Sequence, residues 1–362
     1  MTVAAGDATL SEKTTKCPFR YLYHFGDGVT DIGNSIRVMP WFDMPAKKYP
    51  YGKTYPGWPT GRWSDGLVDF DYTAMDFGLP FIVPYLSMDR YTRYDGVIFS
   101  VARSPVLDHS FFKSKGVVIP PYAVSLSGQM NWFRKYLQSI CLKPKDCVER
   151  LENSLILMGD IEGNDIGYLL TQGKTILEVR RYVPLIIKTM IESARELIRL
   201  GAARIIIPGK RSCWIVPYIL TALQTNDSTA YDDIGCLKTV NDFIVWKNNN
   251  LQDAIENLKR EFPKITIYYG DMYDGVRSII ANASIIGNMA LKSCCGIGGK
   301  YNYNSKRVCG DKGVPVCPSP DNFIYWDGIH FTQQAYYTME HLLVQPALGS
   351  FNCTSKLLSA VM

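Results

Sequence analysis

Apolar positions along the chain gather into short runs separated by longer amphipathic stretches. The short runs cover residues 20–25, 95–102, 154–159, 203–209 and 265–271. They are nearly continuous rather than alternating, as in strands buried on both faces of a sheet. Helical spacing marks residues 67–77, 126–141, 176–200, 237–262 and 332–343. Ser64 or Asp65 is a cap for the first of these and Gly78 its stop, and Gly201 suits the end of the third. Residues 35–64 are rich in Pro, Gly, Tyr and Trp and read as loop, and residues 79–86 read as an apolar connection broken by prolines. Short buried strands alternating with long helices predict an α/β fold, a three-layer α/β/α sandwich around a central five-stranded parallel sheet. No internal repeat or linker divides the chain, so residues 20–362 read as one domain behind a disordered leader, residues 1–19.

In such sheets, sites form at the C-terminal ends of the strands. The polar clusters fall there: Gly26-Asp27-Gly28, Arg103-Ser104, Gly163-Asn164-Asp165 and Asp327 with His330. In the first, an aromatic strand ends abruptly in Gly-Asp-Gly, followed by Thr30, Asp31, Gly33 and Asn34. Gly26 and Gly28 admit a tight turn. Asp27 is suited to accept backbone N–H bonds within it, and Asp31 and Asn34 to hold the turn that follows. Such a strand-to-helix corner presents a side chain, or bare N–H groups, at the mouth of the sheet.

Composition narrows the setting. The chain has 362 residues, 47% hydrophobic and 20% charged, as in an ordinary globular protein. No apolar run reaches the ~18 residues of a membrane span. The net charge of +5 comes from scattered Lys and Arg, so no nucleic-acid partner is expected. Of the ten cysteines, Cys294, Cys295, Cys309 and Cys317 share one loop. They lack the paired spacing of a zinc site, and disulfides are the better reading. With sequons at Asn226, Asn282 and Asn352, the cysteines favour the secretory pathway. The first sixteen residues are polar and hold no signal-peptide core, so that reading takes a leader to have been removed.

Four motifs, in order, resemble the plant GDSL esterase/lipases of the SGNH hydrolase superfamily. Phe25 to Asn34 match the first family block, F-G-D-S-hydrophobic-x-D-x-G-N, except at one place. Pro59-Thr60-Gly61-Arg62-Trp63-Ser64-Asp65-Gly66 is similar to P-T-G-R-F-S-D/N-G. Gly159 to Asp165 resemble G-x-x-G-x-N-D, and Trp326-Asp327-Gly328-Ile329-His330 resembles W-D-x-x-H. The resemblance implies a flavodoxin-like sheet and a secreted glycoprotein, with no metal and no cofactor. It implies a monomer acting on a small-molecule ester or specialised metabolite. Within the family, the chain looks most like plant esterases of specialised metabolism, including those that deacetylate alkaloids. The resemblance also implies His330 as base oriented by Asp327, with oxyanion donors at residue 28, residue 103 and Asn164.

Two positions depart from the pattern. Gly28 stands where the family has its serine nucleophile, and Arg103 where it has an oxyanion glycine. Two departures argue for natural divergence over a single engineered knockout. Three destinations are open for Arg103: binding a carboxylate or oxyanion, turning to solvent, or filling the pocket. Asp27 is not read as a replacement nucleophile, because its role in the turn is local, and the Thr30 hydroxyl would need an adjacent base to act as one. Three functions follow: acid–base chemistry without a nucleophile, ester hydrolysis by water that His330 activates, and ligand binding without catalysis. The cysteines at 294–317 are expected to be structural, and His24 to lie in the core. The aromatic residues Trp41, Phe42, Tyr49, Tyr51, Trp58, Tyr91 and Tyr94 are candidates to line an apolar pocket.

Overall fold

The computed structural model describes residues 15–88, 95–159, 161–209, 216–284 and 290–355. Residues 1–14, Tyr91, Tyr94, Asp160 and Cys213, which figure in the sequence reading, lie outside these. Six parallel strands form the central sheet: β1 (Tyr21–Phe25), β2 (Val83–Pro84), β3 (Gly96–Ile98), β4 (Ser154–Met158), β5 (Arg204–Pro208) and β6 (Thr266–Gly270). Their order is β2-β3-β1-β4-β5-β6. Every residue of β3 and β4 is buried, as is all of β1 after Tyr21. That burial is why these strands read as unbroken apolar runs. The sheet has one strand more than the five expected. Val83–Pro84 pairs at the edge, where a proline's missing N–H takes nothing from the ladder.

The helices that frame the site are α1 (Asp69–Asp76), α2 (Leu126–Ile140), α3 (Glu162–Thr171), α4 (Val183–Leu200), α5 (Pro217–Ala222), α6 (Lys238–Glu261), α7 (Met272–Ser284) and α8 (Gln333–Leu343). Helix α4 packs against α2 and α6, while α8 packs against α1 and α7, so helices flank the sheet. In α4, Ile186, Ile187, Met190, Ala194, Leu197 and Ile198 form the buried stripe. The single helix expected over 176–200 is two pieces, Ile176–Arg180 and α4. Pro184 has no N–H to bond the carbonyl of Arg180, and the ladder restarts after Tyr182. Helix α1 begins at Asp69 rather than beside Ser64 or Asp65. Its Val68 N–H goes to Asp71, while Asp65 accepts from the N–H of Gln333 at 2.8 Å and so ties the loop to α8.

The sequence reading ends its leader at residue 19, but the chain is tied in earlier. Thr15–Lys16 pairs with Thr354–Ser355, Cys17 is disulfide-bonded to Cys353, and buried Phe19 meets Phe77 edge-on at 4.9 Å. Cys141–Cys147, Cys294–Cys317 and Cys295–Cys309 are further disulfides, and Cys236 is also disulfide-bonded. The cysteine-rich loop joins a small second core with Ala46, Tyr51, Trp63, Ala102 and Trp326. It therefore braces the residues around Asp327 from outside the sheet.

The turns after β1 and β3 are joined by one buried carboxylate. Asp31 accepts N–H bonds from Gly33 (2.8 Å), Asn34 (2.7 Å), Ser35 (3.1 Å) and, from the other turn, Ala102 (2.8 Å). Burial raises its pKa, and these bonds oppose that rise. Asn34 adds a second tie, donating to the carbonyls of Ile98 (2.8 Å) and Ser100 (2.9 Å). Asp31→Ala strands four buried donors, each costing about 1–3 kcal/mol when unpaired. A loss of at least about 3 kcal/mol, read from denaturant unfolding at unchanged m, is the expected outcome. A loss within about 0.5 kcal/mol, the scatter of ordinary surface substitutions, would show that the two turns hold themselves.

Candidate active site

Three strand-end segments and the loop ahead of α8 converge on one pocket. Its walls include Asp27, Gly28, Arg103, Asn164, Tyr168 and His330, around a cavity of about 40 Å³ that opens to solvent. Gly28 comes from the turn after β1 and Arg103 from the turn after β3. Asn164 lies in the first turn of α3, and His330 just ahead of α8.

His330 is fixed from one side. Its Nδ1 lies 2.8 Å from Oδ2 of Asp327, whose Oδ1 accepts the backbone N–H of Ile329 (3.0 Å) and of His330 (2.8 Å). Tyr51 donates its hydroxyl to the same Oδ2 at 2.6 Å. Burial alone would raise the pKa of Asp327. The imidazole beside it and the bonds from His330 and Tyr51 outweigh that and hold it down to about 2. Asp327 is therefore ionised at neutral pH and accepts from Nδ1, which turns the other ring nitrogen, Nε2, toward the pocket. Burial, then the adjacent carboxylate, pushes the Tyr51 phenol up, so it remains a donor. Trp63 lies against the imidazole at 4.9 Å between ring centroids and is itself pinned by a bond to Ser35 Oγ.

Nε2 of His330 has no hydrogen-bond partner among the described residues and faces Gly28. A Cβ built on Gly28 would lie 2.2 Å from that nitrogen and 2.9 Å from Cδ2. The imidazole thus occupies the space over the turn that any side chain at residue 28 would need.

The turn beneath is braced by buried polar groups. Gln129 of α2 donates to the Gly26 carbonyl (2.8 Å) and accepts the Gly26 N–H (3.0 Å). His24, Ser100 and Thr30 bond one another below it, at 2.8–3.2 Å. Burial lowers the pKa of His24 to about 3, against a backbone bond at Phe25. His24 is therefore neutral and belongs to the support of the turn. Asp27 accepts the Val29 N–H through Oδ1 (3.0 Å) and the Asn164 amide through Oδ2 (2.7 Å).

That last bond changes the standing of Asn164. Its Nδ2 also donates to the Ser104 carbonyl at 3.0 Å, so both amide hydrogens are committed. Offering one to an oxyanion means giving up Asp27 or Ser104. By contrast, no acceptor among the described residues takes the backbone N–H of Gly28 or of Arg103. Arg103 has φ 66°, a left-handed angle that favours glycine, so the backbone keeps a glycine-like turn although the residue is arginine. Its side chain turns into the pocket, with the guanidinium 5.6 Å from the ring centre of Tyr168 and 5.7 Å from that of Tyr218.

Among the described residues, the group placed to hold a metal ion is Asp76, Glu340 and His341, with ligand atoms within 4.8 Å of one another. It sits on α1 and α8, and none of its members lines the pocket.

The GDSL-like Lipase/Acylhydrolase family profile matches residues 22–343. The chain belongs to that family. It is 42% identical over 344 residues to an acetylajmalan esterase of Rauvolfia serpentina, covering 93% of this chain and 88% of that protein. It is 36% identical over 328 residues to a sinapine esterase of Brassica napus, covering 89% and 84%. A GDSL esterase/lipase of Arabidopsis thaliana matches at 36% over 327 residues, covering 89% and 81%. Membership agrees with the parallel sheet flanked by helices and with the order of the four motifs.

Tyr51, Gln129, Tyr168 and Tyr218 are the pocket and support residues that sequence reasoning missed or left undistinguished. Tyr51 is separated from Asp327 by 276 positions and Gln129 from Gly26 by 103, so no local spacing links either pair. Tyr168 lies one turn after Asn164 in α3, a helix to which the sequence pattern assigns no element.

The close approach of His330 to Gly28 is testable. Gly28→Ala overpacks the site and is expected to cost about 1–3 kcal/mol of stability. In a His330→Ala background the same change is expected to cost less than about 0.5 kcal/mol, because the ring is gone. Equal costs in the two backgrounds would mean that the imidazole does not stand over the turn.

Proposed function

We propose that this protein is a small-molecule enzyme of plant specialised metabolism that works without an acyl-serine. His330 is its base, Asp327 and Tyr51 orient that base, and Gly28 is the vacated nucleophile position. The observation that carries this reading is the unpartnered Nε2 held over a residue with no side chain. A base so placed can take a proton from the carbon beside a carbonyl. The C–H electron pair then moves into the carbonyl, forming an enolate. The N–H groups of Gly28 and Arg103 are the available donors to that oxygen. Protonated His330 returns the proton to another carbon in an isomerisation or cyclisation, or to a leaving group in an elimination.

A second reading draws on the relatives reported above, all of which carry names of esterases. In it, His330 activates water that attacks a small acyl ester directly. Loss of the nucleophile leaves such hydrolysis weak. Either reaction fits a secreted monomer without metal or cofactor. The disulfides support the secretory setting, as do sequons at Asn226 and Asn352, which are exposed.

Mass balance separates the two. The protein is incubated with a metabolite extract of its source tissue, and substrates and products are followed by mass spectrometry. Acid–base repurposing predicts a product of unchanged mass, or one lighter by a leaving group. His330→Ala is expected to slow its formation about 10²–10⁴-fold. Pairs of products whose masses sum to the substrate plus one water would favour hydrolysis. Unchanged turnover in His330→Ala would remove both enzymatic readings.

A further inference from the structure

The Arg103 side chain is held in an unusual way. Its guanidinium carries five N–H donors in a planar fork and stays charged at any physiological pH. Among the described residues, none of those donors makes a hydrogen bond and no carboxylate lies within 4.0 Å. What surrounds the cation is aromatic: the rings of Tyr168 and Tyr218 lie at cation–π distance. Each ring contributes about 0.5–2 kcal/mol and fills none of the donors.

The backbone shows that the residue is held there at a cost. Arg103 keeps φ 66°, which costs a non-glycine residue on the order of 1–3 kcal/mol. The Tyr168 hydroxyl anchors the turn by donating to the Arg103 carbonyl at 2.6 Å. The same tyrosine therefore fixes the backbone and offers a face to the side chain. A half-buried cation with every donor unfilled is unfavourable alone and becomes favourable once an anion arrives.

We propose that Arg103 is the recognition group for a carboxylate on the substrate. The ligand is then a small organic monoanion whose carboxylate pairs with the guanidinium fork between Tyr168 and Tyr218. Its apolar body lies in the pocket, against His330 and Gly28. This rests on the acid–base reading for what happens to the substrate but not for how it is bound. A planar carboxylate matches the fork in two parallel bonds, which a neutral amide or ester cannot do. Arg103 thereby separates this protein from an esterase acting on neutral esters, since it selects the charge that ester hydrolysis releases.

Benzoate and benzamide are matched probes, alike in shape and different in charge. Binding of each is measured by calorimetry at one ionic strength. Wild type is expected to prefer benzoate by roughly tenfold or more, and Arg103→Gln to bring the ratio close to one. Arg103→Lys keeps the charge without the fork and is expected to fall between them. It also serves if Arg103→Gln does not fold. His330→Ala is expected to retain the preference. No binding of benzoate to wild type, or equal binding of the two probes, would overturn the proposal. So would a preference that persists in Arg103→Gln. If His330→Ala keeps both the preference and the metabolite conversion, the acid–base reading fails while the carboxylate site stands.

Discussion

A single carboxylate sets the geometry of the pocket. Asp31 draws N–H groups from the turn after β1 and from Ala102, so two strand ends that share no local sequence are locked together. Both departures from the family pattern lie on these two turns. Gly28 is three residues before Asp31, and Arg103 directly follows Ala102.

Those changes act on different parts of the chemistry. The Asp327–His330 pair is in place: Asp327 is ionised, Tyr51 donates to it, and Nε2 of His330 faces Gly28. The imidazole stands over the turn, where a Cβ at residue 28 would meet its Nε2 at 2.2 Å. Arg103 keeps the left-handed backbone and its N–H while adding a charged fork among tyrosines. Asn164 has its amide spent on holding Asp27 and Ser104.

Much of this was legible in the chain because its signals are local. Buried parallel strands are short apolar runs whatever their partners, so five of the six strands stand out. Thr332 caps α8 by accepting the Ala335 N–H at 3.3 Å, an effect confined to one turn of helix. The turn motifs are local in the same way, and they led to the family. Other features depend on distant partners. Val83–Pro84 becomes a strand only because β3 lies beside it, and a proline-broken segment gives no sign of that. The inward turn of Arg103 depends on Tyr168 and Tyr218, contributed by two different helices. The reach of Tyr51 to Asp327 depends on how loop 35–64 packs on the cysteine-rich loop.

The central claim is that no acyl-accepting nucleophile operates in this pocket although its base is in place. Intact-protein mass spectrometry after exposure to a fluorophosphonate tests it directly, because an activated serine forms a stable covalent adduct with that reagent. The account predicts an unmodified protein mass under conditions that fully label an active serine esterase. A stoichiometric adduct that disappears in His330→Ala would contradict it, by revealing a nucleophile that His330 still serves.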